Sequence, residues 1–433
     1  LTLGLPLIGG HLAQFAIGVT DTLMLGWYGV EALAAGVLAH SVFFVFFIMG
    51  SGFAWAVMPL VAAEGEEGAT QVRRVTRMGL WLSTIFALLC LPVMLFSEPL
   101  LLALGQEPPV AARAADYLAI AGWGLFPALA VMVLKSYLAA LERTQVVLWT
   151  TVIAALANVL VNWLLIFGNW GFPELGVRGA AVASVAVQLV SLGVLIPYAV
   201  ARFPEHALFV RLWRADREAF GQVLRLGWPI GLTNLAEVGM FSASAILVGW
   251  LGAVPLAAHG IALQISSAFF MVHMGLSNAA TIRVGKSAGR RDLEGVARGA
   301  QAAVALSLAV AAVTMVVYLA MPELLMGLFL GPDETLLALA AAFQVVDGAQ
   351  VVALGLLRGV QDTRVPMVMA SVAYWGVGLP LSYVAGFPLG LGAPGVWLGL
   401  VAGLAMAAGL LLWRFWRVTL PALRAGAAPP EAA

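Results

Sequence analysis

Apolar residues run in long blocks along the chain, separated by short clusters of Gly, Pro and charged residues. About 20 mostly apolar residues cross the hydrocarbon core of a bilayer as a helix. Twelve blocks reach that length, near 3–26, 33–62, 78–103, 112–140, 146–168, 176–201, 221–250, 256–284, 297–330, 336–361, 365–386 and 393–416. Turn-forming residues fall between them, among them Pro108-Pro109, Gly171-Phe172-Pro173, Gly331-Pro332-Asp333 and Gly392-Ala393-Pro394. Trp27, Tyr28, Trp149, Trp170, Trp250, Trp413 and Trp416 cluster at block ends, where an interfacial aromatic belt belongs.

The blocks are written twice. A shift of 223 positions places Leu3-Gly4 and Pro6 on Leu226-Gly227 and Pro229, Gly26-Trp27 on Gly249-Trp250, and Leu33-Ala34-Ala35 on Leu256-Ala257-Ala258. A shift of 219 places Thr144 on Thr363, Gly171 on Gly390 and Gly176-Val177 on Gly395-Val396. Such self-similarity names an internal duplication of six helices. Six is even, so both halves enter the membrane in the same direction, as in transporters built from parallel repeats. The expected fold is all-α and integral to the membrane, with twelve transmembrane helices in two parallel-repeat six-helix bundles. Residues 1–201 form the first bundle, 202–220 a cytoplasmic linker, 221–417 the second bundle and 418–433 a cytoplasmic tail.

Composition agrees with a membrane solvent, since 62% of the residues are apolar and 10% charged, against roughly 25% charged in a soluble domain. The formal net charge of +0 gives no reason to expect nucleic acid as a partner. Of the 22 Lys and Arg, 20 fall on the side of the termini and the central linker, leaving Arg113 and Arg178 opposite. That bias puts both termini in the cytoplasm, in a cell inner (plasma) membrane. No removable signal peptide is expected. Cys90 lies alone in an apolar run, a small core residue without a disulfide partner.

Three carboxylates, Asp21, Glu237 and Asp347, fall well inside apolar blocks. A charged group at mid-membrane costs roughly 3 kcal/mol on insertion scales, so each should face an internal cavity. The duplication places them differently, with Gln14 opposite Glu237 and Ser244 opposite Asp21. Asn158 and Asn162, spaced i, i+4, project from one face of helix 5 and are natural company for Asp21. Ser184 and Gln188 repeat that spacing on helix 6 and read equally well as interhelical hydrogen-bonding groups. Pro6 removes a backbone hydrogen bond from helix 1 and would let it bend. His11, His40, His259 and His273 are read as hydrogen-bonded packing in preference to a proton relay, since their spacing matches no metal motif. Lys135 sits near a helix end and is expected to snorkel. Gly395, Gly399 and Gly403 suit close packing of helix 12.

With Pro6 and Asp21, the Asn158 and Asn162 pair, Glu237, and the run from Asp347-Gly348-Ala349-Gln350 to Arg358-Gly359, Gln361-Asp362-Thr363-Arg364, the chain resembles the NorM-like branch of the multidrug and toxic compound extrusion (MATE) family over essentially its whole length. The resemblance implies a MATE/MOP-type fold exporting cationic drugs or dyes by alternating access in exchange for Na+ and/or H+. It implies a cation site at Glu237 and Asp347, able to take sodium, and a cation or proton site at Asp21, Asn158 and Asn162, to which the spacing on helix 6 adds Ser184. Some relatives carry tyrosines where this chain has Phe270 and Phe343. Here the missing phenol oxygens leave an aromatic cavity lining. No cofactor beyond the coupling ion is implied, and a monomer is expected.

Two other classes compete. A lipid-linked precursor flippase would also have paired bundles, but should favour a basic cavity for phosphate. A membrane-embedded enzyme would need a catalytic group with its base or metal, and the chain has no His-Glu-x-x-His. Gly285-Lys286-Ser287 lacks the first glycine of a phosphate loop, where Ala280 stands.

Overall fold

The computed structural model describes residues 2–64, 68–320 and 334–426. The expected turn Gly331-Pro332-Asp333, the end of the 297–330 block and the last residues of the tail lie outside the described residues.

The first half folds as α1 (Gly4–Tyr28), α2 (Val30–Ala63), α3 (Ala69–Leu95), a short α4 (Ser97–Ala103), α5 (Pro108–Ala140), α6 (Thr144–Phe167) and α7 (Val177–Arg202). The second half folds as α8 (Arg217–Trp250), α9 (Ala253–Gly289), α10 (Leu293–Ala320), α11 (Glu334–Gly359), α12 (Arg364–Gly386) and α13 (Gly392–Arg424). Among the described residues, eleven helical stretches are long and apolar enough to cross a membrane. The 25-residue α1 is as long, but Gln14, Thr20, Asp21 and Thr22 make it more polar.

Local chemistry explains the boundaries. Pro108 and Pro109 open α5, where a missing N–H costs nothing. Gly168, in the left-handed region at φ 69°, closes α6. Pro6 is the third residue of α1. First-turn N–H groups have no intrahelical acceptor, so Pro6 removes no bond and the expected bend has no broken bond behind it. Its duplicate, Pro229, lies deep inside α8, where it does interrupt the ladder. Two wider turns are π-helical, at Val372–Gly378 within α12 and Phe415–Thr419 within α13.

The helices segregate into two compact units. One comprises Gly9–Gly231 and the other Leu1–Ile8 with Leu232–Ala433. In the first unit α5 packs on α2, α3 and α7, and α6 on α7, around Leu118, Leu125, Leu129 and Ile166. In the second, α11 packs on α9, α10 and α13, around Phe343, Tyr374, Trp397 and Leu404. Each unit thus takes in the start of a helix from the other half of the chain.

Glycine makes those two insertions fit. A Cβ at Gly52 of α2 would collide with the backbone of Gly227 and Gly231 in α8, and one at Gly275 of α9 would stand 2.7 Å from the Ile8 amide nitrogen of α1. The two glycines are duplicates, 223 positions apart. Gly399 likewise packs against the Ser382 backbone, which is the close approach expected of its helix.

α3 starts earlier than the hydropathy pattern predicts, and Arg73, Arg74 and Arg77 lie on its first turns. Arg74 meets Asp216 at 2.5 Å and Glu218 at 2.6 Å. Arg77 donates to the carbonyl oxygens of Leu208 and Ala207, both at 2.7 Å, and the Trp81 indole to Leu212 O at 2.8 Å. The Tyr137 hydroxyl lies 2.5 Å from His206 Nδ1. The segment 203–216, between α7 and α8, is thereby strapped to the first unit. Arg74 holds the Asp216 carboxyl below the usual carboxylate range by hydrogen bonding and charge.

Candidate functional site

In the first unit, α1 presents Asp21 to α6. The Asn158 and Asn162 side chains, one turn apart, both donate to Asp21 Oδ1, at 2.8 and 2.6 Å. Asn162 also donates to Asn158 Oδ1 at 3.3 Å. Both asparagines are fully buried, and two amide donors on one oxygen hold the carboxylate in place. Ser184 does not join this cluster directly among the recorded bonds. Its Oγ lies 3.3 Å from the Tyr117 hydroxyl, a partner the sequence pattern did not single out.

A second polar pair occupies the position where the duplication puts Gln14 opposite Glu237. Lys135 of α5 directs its ammonium to Oε1 of the exposed Gln14 of α1, at 3.4 Å.

In the second unit, α8 and α11 bring Glu237 and Asp347 together, 7% and 2% exposed, with Asp347 in electrostatic reach of Glu237 and of Gln350. Gln350 Nε2 donates to Glu237 Oε1 at 2.7 Å, and the Tyr374 hydroxyl donates to Gln350 Oε1 at 2.6 Å. Tyr374 reaches inward from the π-helical turn of α12. Arg358, in the last turn of α11, is buried. Its Nη2 donates to Asn234 Oδ1 at 2.8 Å, one turn of α8 before Glu237. Tyr374 and Asn234 are thus site neighbours that sequence reasoning missed, while Gln350 and Arg358 stood in the run after Asp347 without a role at the site. The duplication offered a signal for Gln350, since its counterpart is the apolar Val131.

Phe343 is buried, its ring set edgewise against Phe241 at 5.8 Å and Trp397 at 5.4 Å. Phe270 is half-buried against the same core. Beyond the acids, Asp362 accepts from Arg414 Nε and Nη2 at 2.8 and 3.0 Å and from Thr419 Oγ1 at 2.9 Å, with both charged side chains buried.

Buried acids, each beside amide donors, can hold a monovalent cation or a proton but not two cations at once. Among the described residues no group of three or more His, Cys, Asp or Glu could hold a metal ion.

Comparisons with known proteins cover the whole chain. The MatE family model matches residues 6–164 and 229–384. A protein of Rhizobium meliloti (strain 1021), named "Probable multidrug resistance protein NorM", is 47% identical over 100% of this chain and 95% of its own. A protein of the same name from Synechocystis sp. is 37% identical over 96% and 94%. The solved structure of the eukaryotic MATE transporter AtDTX14 matches with a TM-score of 0.85 at 18% identity, covering 98% of this chain and 96% of that one. A MATE structure in the bent conformation matches at 0.88 and 20% identity, covering 98% and 95%. With family model, relatives and fold in agreement, the chain belongs to the MatE family and has the all-α membrane fold of MATE transporters.

Proposed function

We propose that this protein is a secondary active multidrug efflux antiporter, exporting organic cations in exchange for inward Na+ and/or H+. The observation that carries this reading is the buried acid pair Glu237 and Asp347, joined through Gln350 inside a half-molecule whose duplicate has Gln14 and Ala128 at the acid positions. Buried carboxylates attract either a coupling ion or a cationic drug, and competition for one group couples the two fluxes. The names of the relatives support the substrate class. In this reading residues 1–201 and 221–417 act as the two bundles, joined by the 202–220 linker, with Asp21, Asn158, Asn162 and Ser184 as the first-bundle cation or proton site. The protein lies in the inner (plasma) membrane with both termini cytoplasmic, works as a monomer and needs no organic cofactor.

The test is efflux of a fluorescent organic cation from proteoliposomes under an imposed sodium gradient and, separately, a pH gradient. Wild type should transport, and Glu237→Gln and Asp347→Asn should each abolish ion-driven efflux. Unaltered export and ion dependence in both variants would overturn the assignment. Absence of cation transport under either gradient, with translocation of a lipid-linked precursor instead, would replace it by a flippase.

A further inference from the structure

The seam between α9 and α11 holds an unusual concentration of buried polar atoms without hydrogen-bond partners. They are His259 Nε2, Ser266 Oγ and His273 Nε2 on α9, with Gln344 Oε1 and Asp347 Oδ1 on α11. All five side chains are buried. Sequence reasoning favours hydrogen-bonded packing for the two histidines, yet each has one ring nitrogen bonded and the other without a partner. Native proteins satisfy such atoms, usually with ordered water when protein groups do not reach them.

The atoms form a line. His259, Ser266 and His273 are seven residues apart, nearly two turns, so they share one face of α9 and span about 21 Å. The helices run parallel, because Ser266 O accepts from Gln344 Nε2 at 3.1 Å, Ser277 Oγ donates to Val351 O at 2.7 Å and Thr281 Oγ1 to Gly355 O at 2.8 Å. The imidazole edge of His273 abuts Gly348, with Nδ1 and Nε2 2.6 and 2.8 Å from where a Cβ would stand, next along the chain from Asp347. Only a glycine admits the imidazole there. Trp397 Nε1 donates to His259 Nδ1 at 3.1 Å, so the neutral ring carries its proton on Nε2. His273 Nδ1 is 3.1 Å from Ser307 Oγ of α10.

The duplicated half supplies an internal control. The counterparts of His259, Ser266 and His273 on α2 are Gly36, Phe43 and Gly50, and those of Gln344 and Asp347 on α5 are Leu125 and Ala128. There Phe43 packs against Leu125 in an apolar cluster. The same seam is therefore dry in one half and polar in the half that carries the acid.

We infer that the α9/α11 seam is a hydrated proton lane leading from the N-terminal end of α9, past His259, Ser266 and Gln344, to His273 and Asp347. This rests on the antiport reading and deepens it by naming the proton as an ion delivered to Asp347. Transfer is by exchange along hydrogen bonds. A hydronium at the α9 N-terminal end releases one proton into the lane. The waters in file along it each accept one and pass one on while His259 Nε2–H, Ser266 Oγ, Gln344 Oε1 and the His273 ring hold them in place, and the Asp347 carboxylate takes the last. The lane is left neutral and unchanged once its members reorient. Titratable groups facing its inner end are Glu237 of α8, Arg358 of α11 and Tyr374 of α12.

The decisive experiment is a rapid pH drop on full-length protein in lipid nanodiscs, following the protonated-carboxyl infrared band that Asp347→Asn removes. Ser266→Ala and Gln344→Leu, alone and together, delete lane atoms, the second by copying the duplicate half. His273→Phe removes both ring nitrogens at similar size. Protonation of Asp347 should slow at least tenfold in the double variant and in His273→Phe, and proton-driven dye efflux should fall in step. Wild-type protonation rates in the double variant overturn the lane, and that variant decides the matter if His273→Phe does not fold. The infrared rate needs no transport, so a wild type that carries no cation would refute the antiport reading while leaving the lane to be judged on its own.

Discussion

Tyr374→Phe isolates one oxygen. In the folded protein that hydroxyl donates to Gln350 Oε1 at 2.6 Å, which obliges the other end of the amide, Nε2, to face Glu237 at 2.7 Å. All three side chains are buried, so no water competes for the vacated position. Loss of the phenol oxygen leaves Gln350 Oε1 without its donor, a penalty of about 1–3 kcal/mol for a buried acceptor. The amide can relieve it by turning over, but that brings a carbonyl oxygen against the Glu237 carboxylate. Either way the ionised site loses about 1–3 kcal/mol, which is roughly a 5- to 150-fold change in an equilibrium constant. The expected outcome is a lower thermal midpoint in detergent and a displacement of that size in the half-saturating concentration of the coupling ion in dye efflux. Gln350→Leu should exceed it, because Glu237 then loses its donor outright. If Tyr374→Phe matches wild type in both measurements, the amide is not oriented by Tyr374 and the reasoning fails.

Arg414→Met strands the Asp362 carboxylate in a buried site and should destabilise by about 3–5 kcal/mol, whereas the double replacement with Asp362→Leu should cost less than the sum of the two singles; thermal unfolding of all four proteins measures it. The Arg74 strap should withstand mild acid. The folded Asp216 value lies below the unfolded one, so its contribution is complete above the ordinary aspartate range and fades as pH falls through the folded value. Proteolytic nicking of segment 203–216 should therefore stay flat from about pH 7 to about pH 5 and rise only below about pH 4, while Arg74→Gln should be nicked readily at neutral pH. Gly275→Leu drives a side chain into the Ile8 backbone and Gly52→Leu into Gly227 and Gly231; both should abolish the monodisperse peak in size-exclusion chromatography, and recovery of either protein at wild-type yield would contradict the close packing.

Hydropathy and the duplication make the helices legible, because a carboxylate or an i, i+4 asparagine pair stands out in an apolar run. Asp21, Asn158 and Asn162 meet in space for that reason. What escapes the sequence is whatever depends on which helix faces which. Tyr374 reads as one more aromatic until a π-helical turn aims it at Gln350. Arg358 counts in the sequence only as one of the cytoplasmic-side cations and a member of the run after Asp347, while the fold buries it against Asn234. Arg74 and Arg77 look too polar for a spanning helix, and α3 holds them because counter-charges and carbonyls arrive from residues more than a hundred positions away. The seven-residue spacing of His259, Ser266 and His273 is visible in the sequence, yet its meaning waits on the helix that covers it.

The exchanged helix starts make the two halves of the chain interdependent. Within each unit, a glycine of the second helix of one half receives the opening turns of the leading helix of the other, Gly52 taking Gly227 and Gly231, Gly275 taking Ile8. A lone six-helix copy has no second leading helix to receive, so it could fill that groove only with the same segment of a twin chain. Each unit is thus completed only when both halves of the chain are present. Severing the chain between α7 and α8 should yield fragments that are insoluble apart and complement one another when produced together.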